Sequence, residues 1–140
     1  MRCMSPDSVL IQNAARIPEA DLYLRSVHVH DFVRWQSEDG KVDYAIDGGQ
    51  GLGAYVRRVG HDGGRVFDWC LYDTDPFGLI AERLLWHTYG PEGKEPGRWR
   101  PISTLELDHL QAILKTQPHI KGTLTERVVQ WWVAKKEQQH

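Results

Sequence analysis

A chain of 140 residues is long enough for one compact domain, and its 41% hydrophobic and 26% charged residues are ordinary for a globular protein. The formal net charge of −2 argues against general electrostatic adhesion to nucleic acid or to an anionic membrane. No apolar run reaches the length of a signal core or a membrane span, and the two cysteines argue against a disulfide framework. We therefore expect a cytoplasmic protein without a membrane partner.

The first half of the chain predicts β structure after an N-terminal arm. Residues 1–26 mix polar and apolar side chains, and we expect them to pack only partly on the rest of the protein. From residue 27 to residue 74, polar and apolar side chains alternate as they do in strands. Asp39-Gly40 supplies the positive φ that a hairpin needs. The pattern predicts an antiparallel β-meander of about four strands, over residues 27–36, 42–46, 55–59 and 65–72.

The second half, residues 75–140, predicts a helical region packed on those strands. Asp75 followed by Pro76 is typical of a helix start, because Asp caps free amides and Pro at the first helical position loses no hydrogen bond. We expect this helix to end at Gly90, before a loop over residues 91–100.

Two further helices are predicted after that loop. Residues 107–116 carry an apolar stripe of helical period. The last helix begins at the capping box of residues 123–126 and ends in Lys135-Lys136, where positive charge is favourable. Strands followed by about three helices indicate an α+β fold in a single compact domain.

His28 and His30 lie two residues apart and so point to the same side of the predicted strand. Two such imidazoles could ligate a metal ion or hydrogen-bond a ligand. A zinc site needs two further ligands, however, and the chain has no Cys-x-x-Cys pair. The plainer interpretation is two half-exposed strand histidines, or one of them bonded to Asp31, and we expect no metal site.

A glycine-rich bend and two arginines follow Asp47. Gly48 and Gly49 would let backbone amides approach an anion, although the segment has neither P-loop nor Rossmann spacing and could be a plain connection between strands. Arg57 and Arg58 suit phosphate or carboxylate, but neighbours on a strand face opposite ways, so only one can face a given pocket. The structural alternative is a salt-bridged strand.

Aromatic side chains stand where they could contact a ligand or a partner. Tyr55 shares a strand face with Arg57. Trp99 stands between two arginines in the predicted loop, which suits stacking on a base or contact with an acidic protein, while anchoring of the loop in the core is the plainer interpretation. Trp131 and Trp132 cannot both face the interior of one helix, so we predict a homo-oligomer in which one of them packs against a second copy.

No combination of residues in the sequence predicts catalysis. Serine and cysteine are few, and none lies in a Gly-x-Ser-x-Gly or comparable context. Asp73 and Asp75 could form a carboxylate pair, but capping of the following helix explains Asp75. We expect a protein that is not an enzyme, with no catalytic residues and no cofactor.

Several of these segments resemble a group of small proteins encoded by bacteriophages and prophages. The pattern of that group is a Cys-Pro-x-Cys-Gly-Asp zinc-ribbon arm, His-Asp-Phe-Val, a Cys-x-Cys-Gly knuckle, Val-Asp-Gly-Gly and Tyr-Leu-Arg-Arg. Residues 30–33, 46–49 and 55–58 stand in the places of His-Asp-Phe-Val, Val-Asp-Gly-Gly and Tyr-Leu-Arg-Arg. Later similar segments are residues 86–90, 100–105 and 109–114. The likeness covers roughly residues 12–120.

This chain departs from the group at the zinc-ligating cysteines. The corresponding positions hold Ile17, Ala20, Trp35 and Ser37. A zinc-dependent function is therefore not expected, and apolar packing with an extended hairpin would replace the metal-stabilised arm.

The resemblance implies a phage accessory protein acting in the host cytoplasm, and small phage proteins of this kind commonly act by binding. We expect non-catalytic binding that antagonises a bacterial defence system, with a phosphorylated small molecule such as a nucleotide immune signal as ligand. The ligand site would draw on His28, His30, Asp47, Gly48, Gly49, Tyr55, Arg57, Arg58 and Trp99. The alternatives are a protein-binding inhibitor of a host defence nuclease or effector, such as an anti-CRISPR protein, and a nucleic-acid accessory protein, which the acidic charge disfavours.

Overall fold

The structure, a computed structural model, describes residues 9–27, 31–47 and 57–139. The strands are β1 (Leu10–Ile17), β2 (Leu22–Ser26), β3 (Phe32–Gln36), β4 (Asp43–Asp47), β5 (Arg57–His61), β6 (Phe67–Asp68), β7 (Leu71–Tyr72), β8 (Leu85–Thr88) and β9 (Arg98–Pro101). The helices are α1 (Phe77–Arg83), α2 (Leu107–Thr116) and α3 (Leu124–Glu137). Antiparallel sheets combined with helices confirm the α+β fold. The chain divides into two compact units, residues 1–75 and 76–140.

The N-terminal unit is built from two antiparallel sheets packed face to face. In the first sheet β1 pairs with β2, β6 and β7, and in the second β4 lies between β3 and β5. One buried cluster joins the two sheets, with its members alternating along each strand: Ala15, Ile17, Leu24, Val42, Tyr44 and Ile46. Burial of this apolar surface holds the sheets together.

The sequence predicts residues 10–26 as part of an arm. In the structure they form the β1–β2 hairpin of the first sheet. Strand β1 does not show a clear alternation of polar and apolar residues, because some of its polar residues are buried. Gln12 is only 2% exposed, and its side-chain amide donates to the carbonyl of Trp69 over 3.1 Å. Buried polar groups with hydrogen-bond partners are tolerated in a core, but they hide the strand period from sequence patterns.

The turn between β3 and β4 forms as the Asp39-Gly40 pair predicts. Gly40 has a φ of 73°, which an L side chain rarely adopts. The Ser37 hydroxyl, the backbone amide of Lys41 and the Arg65 guanidinium all bond to the Asp39 carboxylate and hold its pKa at about 2. This turn is therefore tied by charge-assisted hydrogen bonds as well as by its backbone.

The predicted four-stranded meander is wrong in its last strand. Strands β3, β4 and β5 pair in sequence, but β6 and β7 both pair with β1 in the other sheet. Arg65 lies just before this change of sheet and binds Glu19 at 2.6 Å and Asp39 at 3.1 Å. Alternation identifies a strand but not its partner, so the sequence could not distinguish the two pairings.

The first helix of the C-terminal unit is shorter than the sequence predicts. It ends at Arg83, because Leu84 is already extended with a ψ of 130°. Residues 85–88 then form β8, which pairs with β9, so the expected helix end at Gly90 is wrong. The expected loop over residues 91–100 is confirmed for residues 91–97, whereas residues 98–100 belong to β9. Pairing with β9 stabilises Leu85–Thr88 as a strand, although Leu85 continues the apolar stripe of the preceding helix.

The start of α1 also differs from the prediction. Pro76, not Asp75, occupies the N-cap position. The Asp75 carboxylate instead accepts a hydrogen bond from the backbone amide of Tyr72 over 2.8 Å. Asp75 thus fixes the turn ahead of the helix.

The second and third helices confirm the sequence pattern. Helix α2 spans Leu107–Thr116 and buries Leu110 and Ile113. The Thr123 hydroxyl accepts from the amide of Glu126, while the Glu126 carboxylate reaches back to the amide of Gly122, a variant of the predicted capping box. These helices, α1 and the β8–β9 hairpin surround the buried core of the C-terminal unit.

Candidate functional site

Much of the site predicted from the sequence lies outside the described residues. This applies to His28, His30, Gly48, Gly49 and Tyr55. Their assignment as ligand-binding residues therefore stays a prediction.

The strand pairing of the second sheet shows which strand ends lie next to one another near that predicted site. Asp47, the last residue of β4, pairs with Phe32 at the start of β3 and with Arg57 at the start of β5, and Arg58 lies opposite Ile46. The start of β3, the end of β4 and the start of β5 therefore lie at the same end of this sheet.

Trp99 belongs to the C-terminal unit and lies on a strand, not in a loop. It is half-buried, and its ring meets the His87 ring edge-on at 5.0 Å between centroids. His87 is in turn edge-on to Tyr89 at 5.1 Å. These contacts lie within the β8–β9 hairpin and its turn, and the assignment of Trp99 as a ligand-binding residue stays a prediction.

The same strand carries the two arginines that flank Trp99. Side chains alternate along a strand, so Arg98 and Arg100 lie on one face of the hairpin and Trp99 on the other. The register places Arg98 opposite Thr88 and Arg100 opposite Trp86. At about 3.3 Å per residue, the two arginine Cα atoms are separated by about 7 Å.

A cavity of about 180 Å³ lies on this arginine-bearing face. It is bounded by the end of β8 and the following turn, by β9, and by the segment that leads into α2. The lining residues are Thr88, Gly90, Pro91, Arg98, Arg100, Thr104, Leu105, Glu106 and His109. All of them belong to the C-terminal unit.

The cavity wall formed by β8 and its turn is held by local hydrogen bonds. The Thr88 hydroxyl accepts from the amide of Gly90 over 3.1 Å. Gly90 has a φ of 82°, and a Cβ at this position would overlap the side chain of Glu95. The Glu95 side chain could move aside, but an L side chain rarely adopts this φ, so glycine is favoured at this corner of the cavity.

The opposite wall, residues 103–106, is held by Lys136 near the end of α3. The Lys136 ammonium donates to the carbonyl of Ser103 over 2.9 Å and to the carbonyl of Leu105. Burial lowers the pKa of Lys136, and attraction to the Glu106 carboxylate opposes this shift. The Thr104 hydroxyl adds a bond of 2.7 Å to the carbonyl of Pro101.

The side chains that line the cavity favour an anion. Arg98 and Arg100 supply two permanent positive charges with planar donor groups, and His109 adds an imidazole. Glu106 supplies one negative charge at the same cavity. Phosphate and carboxylate both match guanidinium groups, because a guanidinium can donate two parallel hydrogen bonds to the oxygens of either anion.

Among the described residues, no three His, Cys, Asp or Glu side chains come together in a way that could hold a metal ion. His28 and His30 are not part of that set, so the prediction made for them is not tested. The lining of the cavity offers donors for an anion rather than ligands for a cation.

Both tryptophans of the last helix make contacts within the chain. The Trp132 indole donates to the carbonyl of Ala81 over 2.7 Å. Trp131 is edge-on to Phe77 at 6.0 Å and to Trp132 at 4.7 Å between ring centroids. These contacts account for two adjacent tryptophans on one helix, and the predicted homo-oligomer stays a prediction.

Sequence reasoning missed the cavity although it singled out the segment that forms it. The sequence predicts a loop at Arg98-Trp99-Arg100, whereas alternation of cation, aromatic and cation is also the period of a strand. A strand puts both arginines on one face. No local signal connects His109 or Glu106 with them, because α2 approaches β9 only through tertiary packing.

No protein-family model, curated protein or solved structure matches this chain. Among the residues that the structure describes, no helix combines the length and the apolar character needed to cross a membrane.

Proposed function

We propose that the protein binds a phosphorylated small molecule without transforming it, and that the phosphate lies in the cavity between the β8–β9 hairpin and the start of α2. In the phage context that the sequence resemblance implies, such binding would sequester a nucleotide-type signal of a bacterial defence system in the host cytoplasm.

The observation that carries this proposal is the placement of Arg98 and Arg100 on one strand face, both lining one cavity with His109. Arginines on an exposed strand commonly serve only solubility. Here they border a concave space whose other walls are fixed by Lys136 and by the turn at Gly90. A site held in place before binding loses less entropy when the ligand arrives, which favours binding.

Binding without catalysis is the function that this lining supports. The hydroxyls of Thr88 and Thr104 bond to neighbouring backbone groups and so stabilise the walls. Activation of a nucleophile requires a base in hydrogen-bond contact with it and a further group that orients the base. The arginine pair supplies electrostatic attraction and orientation, which a binding protein requires.

The proposal is tested by isothermal titration calorimetry of the purified chain with inorganic phosphate and with AMP at low salt. We expect saturable binding that weakens as salt is added. Arg100→Met should lower the affinity at least about tenfold, because a hydrogen bond to a charged group contributes about 1.5–3 kcal/mol.

Arg127→Met is the matched control. The Arg127 guanidinium lies over the Phe77 ring at 5.4 Å and does not line the cavity. This variant removes the same charge and should bind phosphate as the wild type does. Equal losses in both variants, or no binding to the wild type, would contradict the proposal.

A further inference from the structure

We infer that the cavity prefers a phosphate that carries an ammonium group a short distance away, as in a small aminoalkyl phosphate. This inference rests on the proposed function and specifies the group beside the phosphate. It follows from the presence of both signs of charge on the lining of one small cavity. Arg98 lines the wall formed by β9, and Glu106 lines the opposite wall, residues 103–106.

The cavity is small enough for one short ligand to meet both walls. Pockets that enclose a drug-sized molecule have volumes of about 300–1,000 Å³. The cavity here has about 180 Å³. A cavity of about 150 Å³ can hold benzene. A phosphate joined to an ammonium group by two carbons is only slightly larger than benzene, so it matches the space available.

Arg98 provides the end of the cavity that binds an anion. Its side chain is exposed, and its guanidinium presents planar donors that suit phosphate oxygens. Arg100 already interacts with another group of the chain, and it keeps its positive charge in that interaction. The donors of one arginine are therefore enough to hold the phosphate, and the second arginine adds attraction.

Glu106 provides the end of the cavity that favours a cation. Its ionised carboxylate is exposed and is purely an acceptor of hydrogen bonds. The Lys136 ammonium attracts it, but this ammonium donates to the carbonyls of Ser103 and Leu105. Because the carboxylate is exposed and Lys136 is bonded elsewhere, Glu106 can accept a hydrogen bond from a ligand.

The charge balance of the lining favours the same ligand. Two arginines and one glutamate give the lining a net charge of +1 when His109 is neutral. A phosphate monoester carries about −1.5 to −2 charges near neutral pH, and Glu106 repels it. An ammonium group on the ligand lowers this charge to about −0.5 to −1 and turns the repulsion by Glu106 into attraction. A neutral substituent, such as the nucleoside of AMP, does neither.

The test compares four probes by isothermal titration calorimetry with the full chain near neutral pH: inorganic phosphate, ethyl phosphate, 2-hydroxyethyl phosphate and phosphoethanolamine. We expect phosphoethanolamine to bind about three- to fivefold more tightly than ethyl phosphate, because an ion pair at an exposed carboxylate contributes a modest amount. The hydroxyethyl ester has the same length but a neutral end, and it should bind within about twofold of ethyl phosphate.

Glu106→Gln adds a readout that a merely structural effect would not produce. It should remove the preference for phosphoethanolamine over ethyl phosphate and at the same time strengthen ethyl phosphate, because the repulsion is lost. Glu82→Gln is the matched control, since Glu82 is exposed in the same unit and does not line the cavity. This variant should keep the preference of the wild type.

A free aminoalkyl phosphate and a phospholipid headgroup share this chemistry. Vesicles added to the titration with phosphoethanolamine distinguish the two sources. Competition by phosphatidylethanolamine vesicles, and not by phosphatidylglycerol vesicles, would identify the headgroup as the ligand. Absence of competition would identify a free small molecule, as the proposed function requires.

Two results overturn the inference in different ways. If phosphoethanolamine binds no more tightly than ethyl phosphate and 2-hydroxyethyl phosphate, the preference for an ammonium group is wrong while the proposed phosphate site stands. If none of the four probes binds, the proposed function fails together with the inference.

Discussion

Replacing Lys136 by Met removes the ammonium that ties the end of α3 to one wall of the cavity. Two hydrogen bonds are lost, to the carbonyls of Ser103 and Leu105. Each bond from a charged donor contributes about 1.5–3 kcal/mol. Part of that gain is offset in the wild type by the burial that lowers the pKa of this lysine. We expect Lys136→Met to lower the free energy of unfolding of the C-terminal unit by about 2 kcal/mol.

The same variant should weaken phosphate binding by a few-fold, although Lys136 does not line the cavity. The wall formed by Thr104, Leu105 and Glu106 would lose its anchor, and the arginines opposite would face a less ordered surface. Urea unfolding followed by tryptophan fluorescence measures the stability, and calorimetric titration with phosphate measures the binding.

Lys135→Met provides the control for this prediction. The Lys135 ammonium lies over the Trp131 ring at 4.7 Å and is exposed, so its loss should cost at most about 1 kcal/mol and leave phosphate affinity unchanged. If Lys136→Met unfolds at the same urea concentration as Lys135→Met, the anchoring described here does not hold the wall.

Four further variants test three other features of the molecule. Gly60→Ala should destabilise the N-terminal unit by more than about 3 kcal/mol in urea unfolding, because the added Cβ would overlap the carbonyl of Asp43. Gly40→Ala has open space around the added Cβ and should cost only about 1–2 kcal/mol. Equal costs for the two variants would refute the overlap at Gly60. The pKa of Asp39 is about 2 in the folded chain, against an ordinary value of 3.8. The ionised carboxylate therefore stabilises the fold when the pH is above 3.8, and this stabilisation is lost as the pH falls toward 2. Asp39→Asn should therefore lower the urea midpoint at neutral pH and lose its difference from the wild type at acid pH, and a pH-independent difference would be inconsistent with this linkage. Glu106→Gln should raise phosphate affinity by up to about fivefold in calorimetric titration, since it removes a negative charge that repels the phosphate. A lower affinity would show that Glu106 assists binding.

The parts of the fold that the sequence predicts well are those governed by local physics. Helix α2 has the predicted bounds because its apolar stripe is strictly periodic. The hairpin at Gly40 forms because a positive φ is required there and glycine supplies it. In both cases a short window of sequence contains the whole cause.

The parts that the sequence predicts poorly depend on tertiary partners. Strand β1 has buried polar residues such as Gln12, which are satisfied by residues about sixty positions away, as in the bond to Trp69. The β8–β9 hairpin competes with a helical stripe that locally is just as plausible. Its strands are stabilised by each other, across a turn of nine residues from Tyr89 to Gly97.

The candidate site shows the same division. The segment Arg98-Trp99-Arg100 is conspicuous in the sequence. Which of its side chains share a face can be predicted only if the segment is known to form a strand. The approach of His109 and Glu106 requires the packing of α2. The histidine, glycine and arginine site predicted for the N-terminal unit lies largely outside the described residues and stays a hypothesis.

The most direct test of the central claim is an NMR titration of the arginine-labelled chain with inorganic phosphate, observing the side-chain Nε–H signals. We predict saturable shifts of the Arg98 and Arg100 signals, with Arg127 unchanged. Shifts confined to Arg57 or Arg58, the arginines of the site predicted from the sequence, would contradict the assignment of the phosphate to the cavity of the C-terminal unit.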